Sequence, residues 1–111
     1  MALMQSIVSQ PGPLPIKNQF AFEGQGDVIL FVSGSGWSPN TGQKIAAIVY
    51  IDGIQVAEIG VYTNESGSHK AMIPVMAPYN LPYAATHTVS VVPAGNTSTD
   101  VNDTFYVAIL Y

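Results

Sequence analysis

Residues 44–63 read KIAAIVYIDGIQVAEIGVYT. Two runs rich in Ile, Val and Tyr are parted only by Asp52-Gly53, with Tyr50-Ile51 on one side and Ile54-Gln55 on the other. Asp and Gly tolerate the positive φ angles of a type I′ turn, whose twist matches that of paired strands, so the stretch predicts an antiparallel hairpin with strands at 44–51 and 55–63. The same signal recurs outward from it. Segments rich in Val, Ile, Tyr and Phe return about every ten residues between clusters of Gly, Pro, Asn and Asp, which predicts further strands at 5–9, 18–23, 27–33, 69–75, 86–92 and 104–110. With about eight strands and no helical period, the expected fold is an all-β sandwich occupying residues 1–111 as one domain.

Prolines punctuate this pattern. Pro11, Pro13 and Pro15 lack the donors a central strand must supply, so 11–15 reads as an extended surface connection after a short first strand. Pro74, Pro78 and Pro82 make 74–83 read as a long loop that exposes Tyr79 and Tyr83. Within the strands, Thr86-His87-Thr88-Val89-Ser90-Val91 alternates as a half-buried strand should. Residues 28–32, 45–49 and 105–111 do not, being apolar on both faces although a two-sheet sandwich has one interior. Their second faces need cover, and a partner subunit is the economical source, which predicts a symmetric homo-oligomer.

Composition excludes several functions. Only 9% of residues are charged against 48% apolar, and the chain has three Lys/Arg residues in all, every one a lysine, with a net charge of −4. The basic footprint that phosphate binding requires is absent, so nucleic acid and anionic membranes are not expected partners. A polar surface of Ser, Thr, Asn, Gln and Gly can instead hydrogen-bond neutral ligands such as sugars. With no cysteine, neither a disulfide framework nor a CxxC metal site is possible. The opening Met1-Ala2-Leu3-Met4 has no basic start and no apolar run of signal-peptide length, and Gly, Pro, Asp or Asn interrupts every hydrophobic run. A soluble chain beginning near Met1, without a transmembrane segment, is the expectation. The sequons at Asn64, Asn96 and Asn102 read as polar loops.

The two-sided final strand at 104–111 resembles the last strand of the TNF/C1q-like jelly rolls. The spacing of 27–33, 44–51, 55–63 and 86–92 as successive core strands extends the likeness to about three-quarters of the chain. That resemblance implies a jelly-roll β-sandwich of antiparallel strands and packing as a trimer. The opening ten residues, ending Ser6-Ile7-Val8-Ser9 before Gln10, are similar to the start of the TNF-like domain of bacterial fucose-binding lectins, which trimerise with sugar sites between subunits. Those lectins use an arginine at the sugar site and this chain has none, so no binding residue carries over.

A Ser/His/Asp triad can be assembled on paper from His69 or His87, a serine, and Asp100 or Asp103, but no G-x-S-x-G elbow positions it. His87 alternates with Val89 and Val91 and reads as a structural strand residue. His69 stands in Asn64-Glu65-Ser66-Gly67-Ser68-His69-Lys70, the densest polar cluster in the chain, which reads either as a binding loop or as a solvated turn. Asp100-Val101-Asn102-Asp103 offers three oxygen-bearing side chains to a calcium ion but lacks the glycine and final glutamate of an EF-hand loop; an Asx-rich turn is the alternative. No His or Cys spacing suggests zinc, Gly34-Ser35-Gly36 lacks a P-loop lysine, and no cofactor is expected. Trp37 opens a polar loop where its ring could stack on a sugar or plug the end of the sandwich.

Two functions from different classes remain. One is a non-catalytic, trimeric, lectin-like carbohydrate-binding module that recognises glycans through loop aromatics and the polar clusters at Asn64–His69 and Asp100–Asp103, with Trp37, Asn64, Glu65, His69, Tyr79 and Tyr83 as ligand contacts. The other is a structural protein, such as a small trimeric capsid, tail-fibre or head-type domain, in which the second apolar faces serve assembly. An enzyme is not expected, because few ionisable residues are present to furnish a cleft.

Overall fold

Asp52 and Gly53 adopt φ angles of 51° and 81°, so the two central residues form the left-handed turn that this dipeptide favours. Around it the computed structural model describes residues 3–111. Its strands, in chain order, are β1 (Met4–Pro11), β2 (Ile16–Phe22), β3 (Gly26–Ser33), β4 (Ser35–Gly36), β5 (Gln43–Ile51), β6 (Ile54–Thr63), β7 (Lys70–Ala71), β8 (Val75–Leu81), β9 (Ala85–Gly95) and β10 (Thr104–Leu110). Two four-stranded sheets run in the orders β1-β10-β3-β8 and β2-β9-β5-β6, and β4 and β7 form a separate pair. All neighbours are antiparallel. Among the eight long strands, every connection except the β5–β6 hairpin crosses from one sheet to the other, which is the winding of a jelly roll.

The core lies between the two sheets. Val28, Leu30 and Val32 of β3 and Phe105, Val107 and Ile109 of β10 face Ile45, Val49 and Ile51 of β5 and Val89 and Val91 of β9, all buried. Full burial of each such side chain contributes roughly 1.5–3 kcal/mol. The free edges of β1 and β2 lie side by side and are tied by side chains: the Gln5 amide donates to the Ala21 carbonyl and the Asn18 amide to Gln10 Oε1, both at 2.8 Å. The edge carbonyl of Ala21 thus has a partner in place of a neighbouring strand.

Three expectations are corrected. Residues 74–83 are not a long loop, because 75–81 form β8, paired with β3 from Gly26↔Leu81 to Val32↔Val75. Proline tolerates this position because β8 is the outermost strand of its sheet, so the missing N–H of Pro78 falls on an unpaired edge. Pro11 and Pro93 are accommodated in the same way, on the outermost strand β1 and beyond the end of the β2–β9 ladder. The strand expected at 69–75 is reduced to β7, which pairs with β4; Ile73 then bridges to Gly60 as the chain passes the edge of β6. The first strand is also longer than expected, reaching Pro11.

Of the strands read as two-sided, β5 turns Ala46 outward, and the chain itself buries that residue to 4% exposure. On the outer face of the β1-β10-β3-β8 sheet, registers align Met4, Leu110, Ile29 and Pro78 in one row and Ser6, Ala108, Phe31 and Met76 in the next. Met4 and Met76 are about 60% exposed there, at 61% and 59%.

The strand registers place two sets of loops at opposite ends of the sandwich. One end holds the long loops at 12–15, 34–42, 64–74 and 96–103; the other holds the hairpin turn, the short connections at 23–25 and 82–84, and both described chain ends. At the hairpin end, His87 is buried in the inner row of β9 and stacks with Phe20 and Tyr83, whose ring centroids lie 5.5 and 4.9 Å away. Its Nδ1 meets the Asp52 carboxylate and its Nε2 the Tyr83 carbonyl, so one ring ties the hairpin turn to the β8–β9 connection. Burial would raise the Asp52 pKa, but the bonds from His87 and the Thr88 N–H and the charge of His87 outweigh it and hold the carboxyl below its ordinary value. His87→Leu keeps an apolar body but leaves both acceptors without the ring. It is expected to cost about 2 kcal/mol, read from urea unfolding midpoints, and a change within experimental error contradicts the tie.

Candidate functional site

The long loops carry most of the polar side chains singled out above, and backbone pairing sets their positions. Ser35↔Ala71 and Gly36↔Lys70 hold 34–42 against 64–74. Trp37 and Ser98 exchange N–H···O bonds of 2.9 and 2.7 Å, which brings in 96–103, and the Gly12 N–H donates to the Asp103 carbonyl at 2.7 Å, which brings in 12–15. The four loops therefore meet around residues 100–103.

Asp103 lies at that meeting point with 0% exposure. Its Oδ1 accepts from Ser35 Oγ and from His69 Nδ1, each at 2.8 Å, and its Oδ2 accepts from the Asp100 N–H at 2.9 Å. A buried carboxylate is tolerated when its lone pairs are met in this way. Asp100 Oδ1 in turn accepts from the Asn102 N–H at 2.8 Å, forming an Asx turn, and leaves Oδ2 directed to His69 Nε2 at 3.6 Å. His69 thus stands between two carboxylates, with its side chain 37% exposed. The Asp103 hydrogen bond raises the His69 pKa above its ordinary value; partial loss of hydration opposes this, and the charges of Asp103 and Asp100 add to it.

The six expected ligand contacts do not form one site. Trp37, Asn64, Glu65 and His69 share the long-loop end, whereas Tyr79 and Tyr83 lie at the other. Trp37 is half-buried beside His69, ring centroids 6.0 Å apart, with its indole Nε1 buried and without an acceptor. Asn64 and Glu65 are exposed, and Glu65 pairs with Lys70 at 2.7 Å, a bond that holds its carboxyl below the ordinary value. Tyr79 is not the exposed loop aromatic expected: it is half-buried on the inner row of β8 and packs against the core, because the strand supplies a regular face that a loop would not. Burial, with Asp52 and Tyr83 nearby, pushes its phenol pKa up. Tyr83 is 48% exposed and stacks on His87.

Sequence reading passed over Ser35 as a contact and read Asp100–Asp103 as a turn, a calcium loop or a polar cluster for glycan recognition. Local sequence gives no sign that Asp103 is buried, since its main side-chain partner lies 34 residues away. His69, Asp100 and Asp103 each offer a ligand atom within 4.8 Å of the others. Asp103 Oδ1 already accepts two bonds, from Ser35 and His69, and Oδ2 one, from the Asp100 N–H. Ser35, His69 and Asp103 also bring the three residue types of a hydrolytic triad together in the wrong order: Ser35 Oγ donates to Asp103 and not to the imidazole.

An NMR titration of the His69 ring checks the electrostatics. Its midpoint is expected above 6.5, the ordinary value, and Asp100→Asn is expected to lower it; a midpoint at or below 6.5 contradicts the pairing. Because the folded pKa lies above the unfolded one, the stabilisation this pair contributes is complete below pH 6.5 and is lost as pH rises through the folded value.

No family model and no curated protein matches the chain. Solved structures do. Eiger TNF from S. frugiperda superposes with a TM-score of 0.59 at 6% identity, over 97% of this chain and 92% of that one. The C-terminal domain of EclA, a sugar-binding protein, gives 0.51 at 10% identity over 98% and 79%. The CBM36-1 domain of a multidomain xylanase from the hindgut metagenome of Trinervitermes trinervoides gives 0.51 at 11% identity, over 96% of each chain. At these identities the likeness is one of fold alone, an antiparallel jelly-roll β-sandwich.

Proposed function

We propose that this protein is a non-catalytic carbohydrate-binding module whose ligand sits at the long-loop end, against Trp37, His69 and Asp100. The observation that carries this reading is the exposed pair formed by Asp100 Oδ2 and His69 Nε2, 3.6 Å apart beside a half-buried tryptophan. Neighbouring hydroxyls of a sugar ring match such a pair: one donates to the carboxylate while the next accepts from the imidazole N–H. The exposed part of the indole takes the apolar face of the ring. Asn64 and the Glu65–Lys70 pair border the same end and supply further polar contacts. The sugar-binding and carbohydrate-binding-module structures that share this fold support the ligand class.

A glycan array tests it. Binding to a defined glycan family is expected, undiminished by chelator, and both Asp100→Asn and Trp37→Ala should weaken it about tenfold or more while the core resonances stay in place. A blank array with well-folded protein removes the carbohydrate reading. Binding that disappears on chelation replaces the direct hydroxyl contact with a cation held by His69 and Asp100.

We further propose that the chain assembles as a homotrimer through the outer face of the β1-β10-β3-β8 sheet, a reading that also accommodates a purely structural role. The apolar rows around Leu110, Ile29, Phe31 and Met76 favour it, since a contiguous apolar face of this kind is otherwise costly to leave in water. Sedimentation is expected to give a trimer, and Phe31→Lys a monomer of unchanged circular dichroism. A monomeric parent protein would sink the assembly.

A further inference from the structure

The hairpin end holds two adjoining grooves that play no part in the site above, both bounded by Ala21, Phe22 and Glu23. One, of about 360 Å³, continues over Ala84, Ala85 and Thr86. The other, of about 320 Å³, turns past Glu23 to Gln5, Gly24 and Tyr111. Each is of small-ligand size.

Residue choice makes these grooves. The alanines at 21, 84 and 85 leave a low step on the surface above Phe22, which is itself 3% exposed. A side chain at Gly24 would begin 2.8 Å from Cε2 of the Phe22 ring, so glycine lets the backbone pass close over that ring at the edge of the second groove. Tyr111 stands edge-on to Phe22, centroids 4.9 Å apart, and forms an aromatic wall. The Gln5 amide nitrogen is spent on the Ala21 carbonyl, which leaves its Oε1 as an acceptor. Among the described residues no ion pair engages Glu23, and no lysine lines either groove.

An apolar step flanked by a free carboxylate, an amide oxygen and two hydroxyls repels anions and offers acceptors to hydroxyl donors. We propose that the two adjoining grooves together form a second carbohydrate subsite for a neutral pyranose, with the apolar face of the ring on the alanine step of the first and its hydroxyls donating to Glu23, which borders both, and to Gln5 of the second. The proposal rests on the carbohydrate reading and extends it: one chain would hold sugars at both ends of its strands. The bond between His87 and the Tyr83 carbonyl holds the short connection that carries Ala84 into β9.

The experiment is an amide chemical-shift titration of the isotope-labelled protein with methyl glycosides of neutral hexoses, 6-deoxyhexoses and pentoses. Saturable shifts are expected at 21–24 and 84–86, independent of those at 64–70 and 98–103. Ala85→Trp should abolish the first set by filling the step, and Glu23→Gln should weaken it about tenfold, both leaving the long-loop shifts unchanged. Unaltered resonances of Val89 and Val107 show that each variant is folded. Shifts confined to the long-loop end overturn the second subsite and leave the carbohydrate reading standing; no shifts anywhere overturn both. Shifts at 21–24 and 84–86 with tetramethylammonium but with no glycoside overturn the ligand class assigned to the groove.

Discussion

A carboxylate with no exposed surface needs donors on every side, and Asp103 obtains them from three separate stretches of chain. Ser35 comes from β4, His69 from the passage between the sheets, and the Asp100 N–H from its own turn. Removing any one leaves a buried charge partly unpaired, which costs more than the bond is worth in isolation. The four long loops converge because this residue requires it, and the exposed edge of the site is a by-product: Asp103 fixes one nitrogen of His69, which turns the other toward Asp100 and solvent.

The hairpin end is built on the same chemistry with the opposite exposure. Asp52 and His87 again form an Asp–His pair, but there the imidazole is fully buried under aromatic rings and both of its nitrogens are spent within the protein. At the long-loop end the second nitrogen has only Asp100 at 3.6 Å, beyond an ordinary hydrogen bond. Two pairs of identical composition therefore divide into a structural latch and a surface able to exchange partners, and burial alone makes the difference.

Sequence reading reached the architecture through signals that are local. Asp52-Gly53 named its own turn, and period-two alternation placed β9 and the interior position of His87. It failed at β8, where proline was weighed without knowing that the strand is an edge; topology decides whether a missing N–H matters, and topology is not written in any single segment. Tyr79 was misplaced for the same reason. His69 was legible as part of a polar cluster, whereas Asp103 was not, because its burial depends on a partner distant in sequence and on a glycine-bearing turn, at Gly12, that closes over it. The grooves at Phe22 were invisible for a different reason: they are made by what alanine and glycine lack.

The apolar sheet face and the hairpin-end grooves are neighbours, and their adjacency constrains how the chain could be used. Met4 and Leu110 begin the outer row of the β1-β10-β3-β8 sheet on its β1 side, and the residues next to them, Gln5 and Tyr111, already line the second groove. In the proposed assembly a neighbouring chain packed on that face would border this groove and restrict its open side, while the alanine step, which lies on the β2-β9 side, would stay clear. The long loops lie at the far ends of the same strands and would be unaffected. Assembly through this sheet is thus compatible with ligand binding at both ends, and it sharpens only the groove that contains Gln5 and Tyr111.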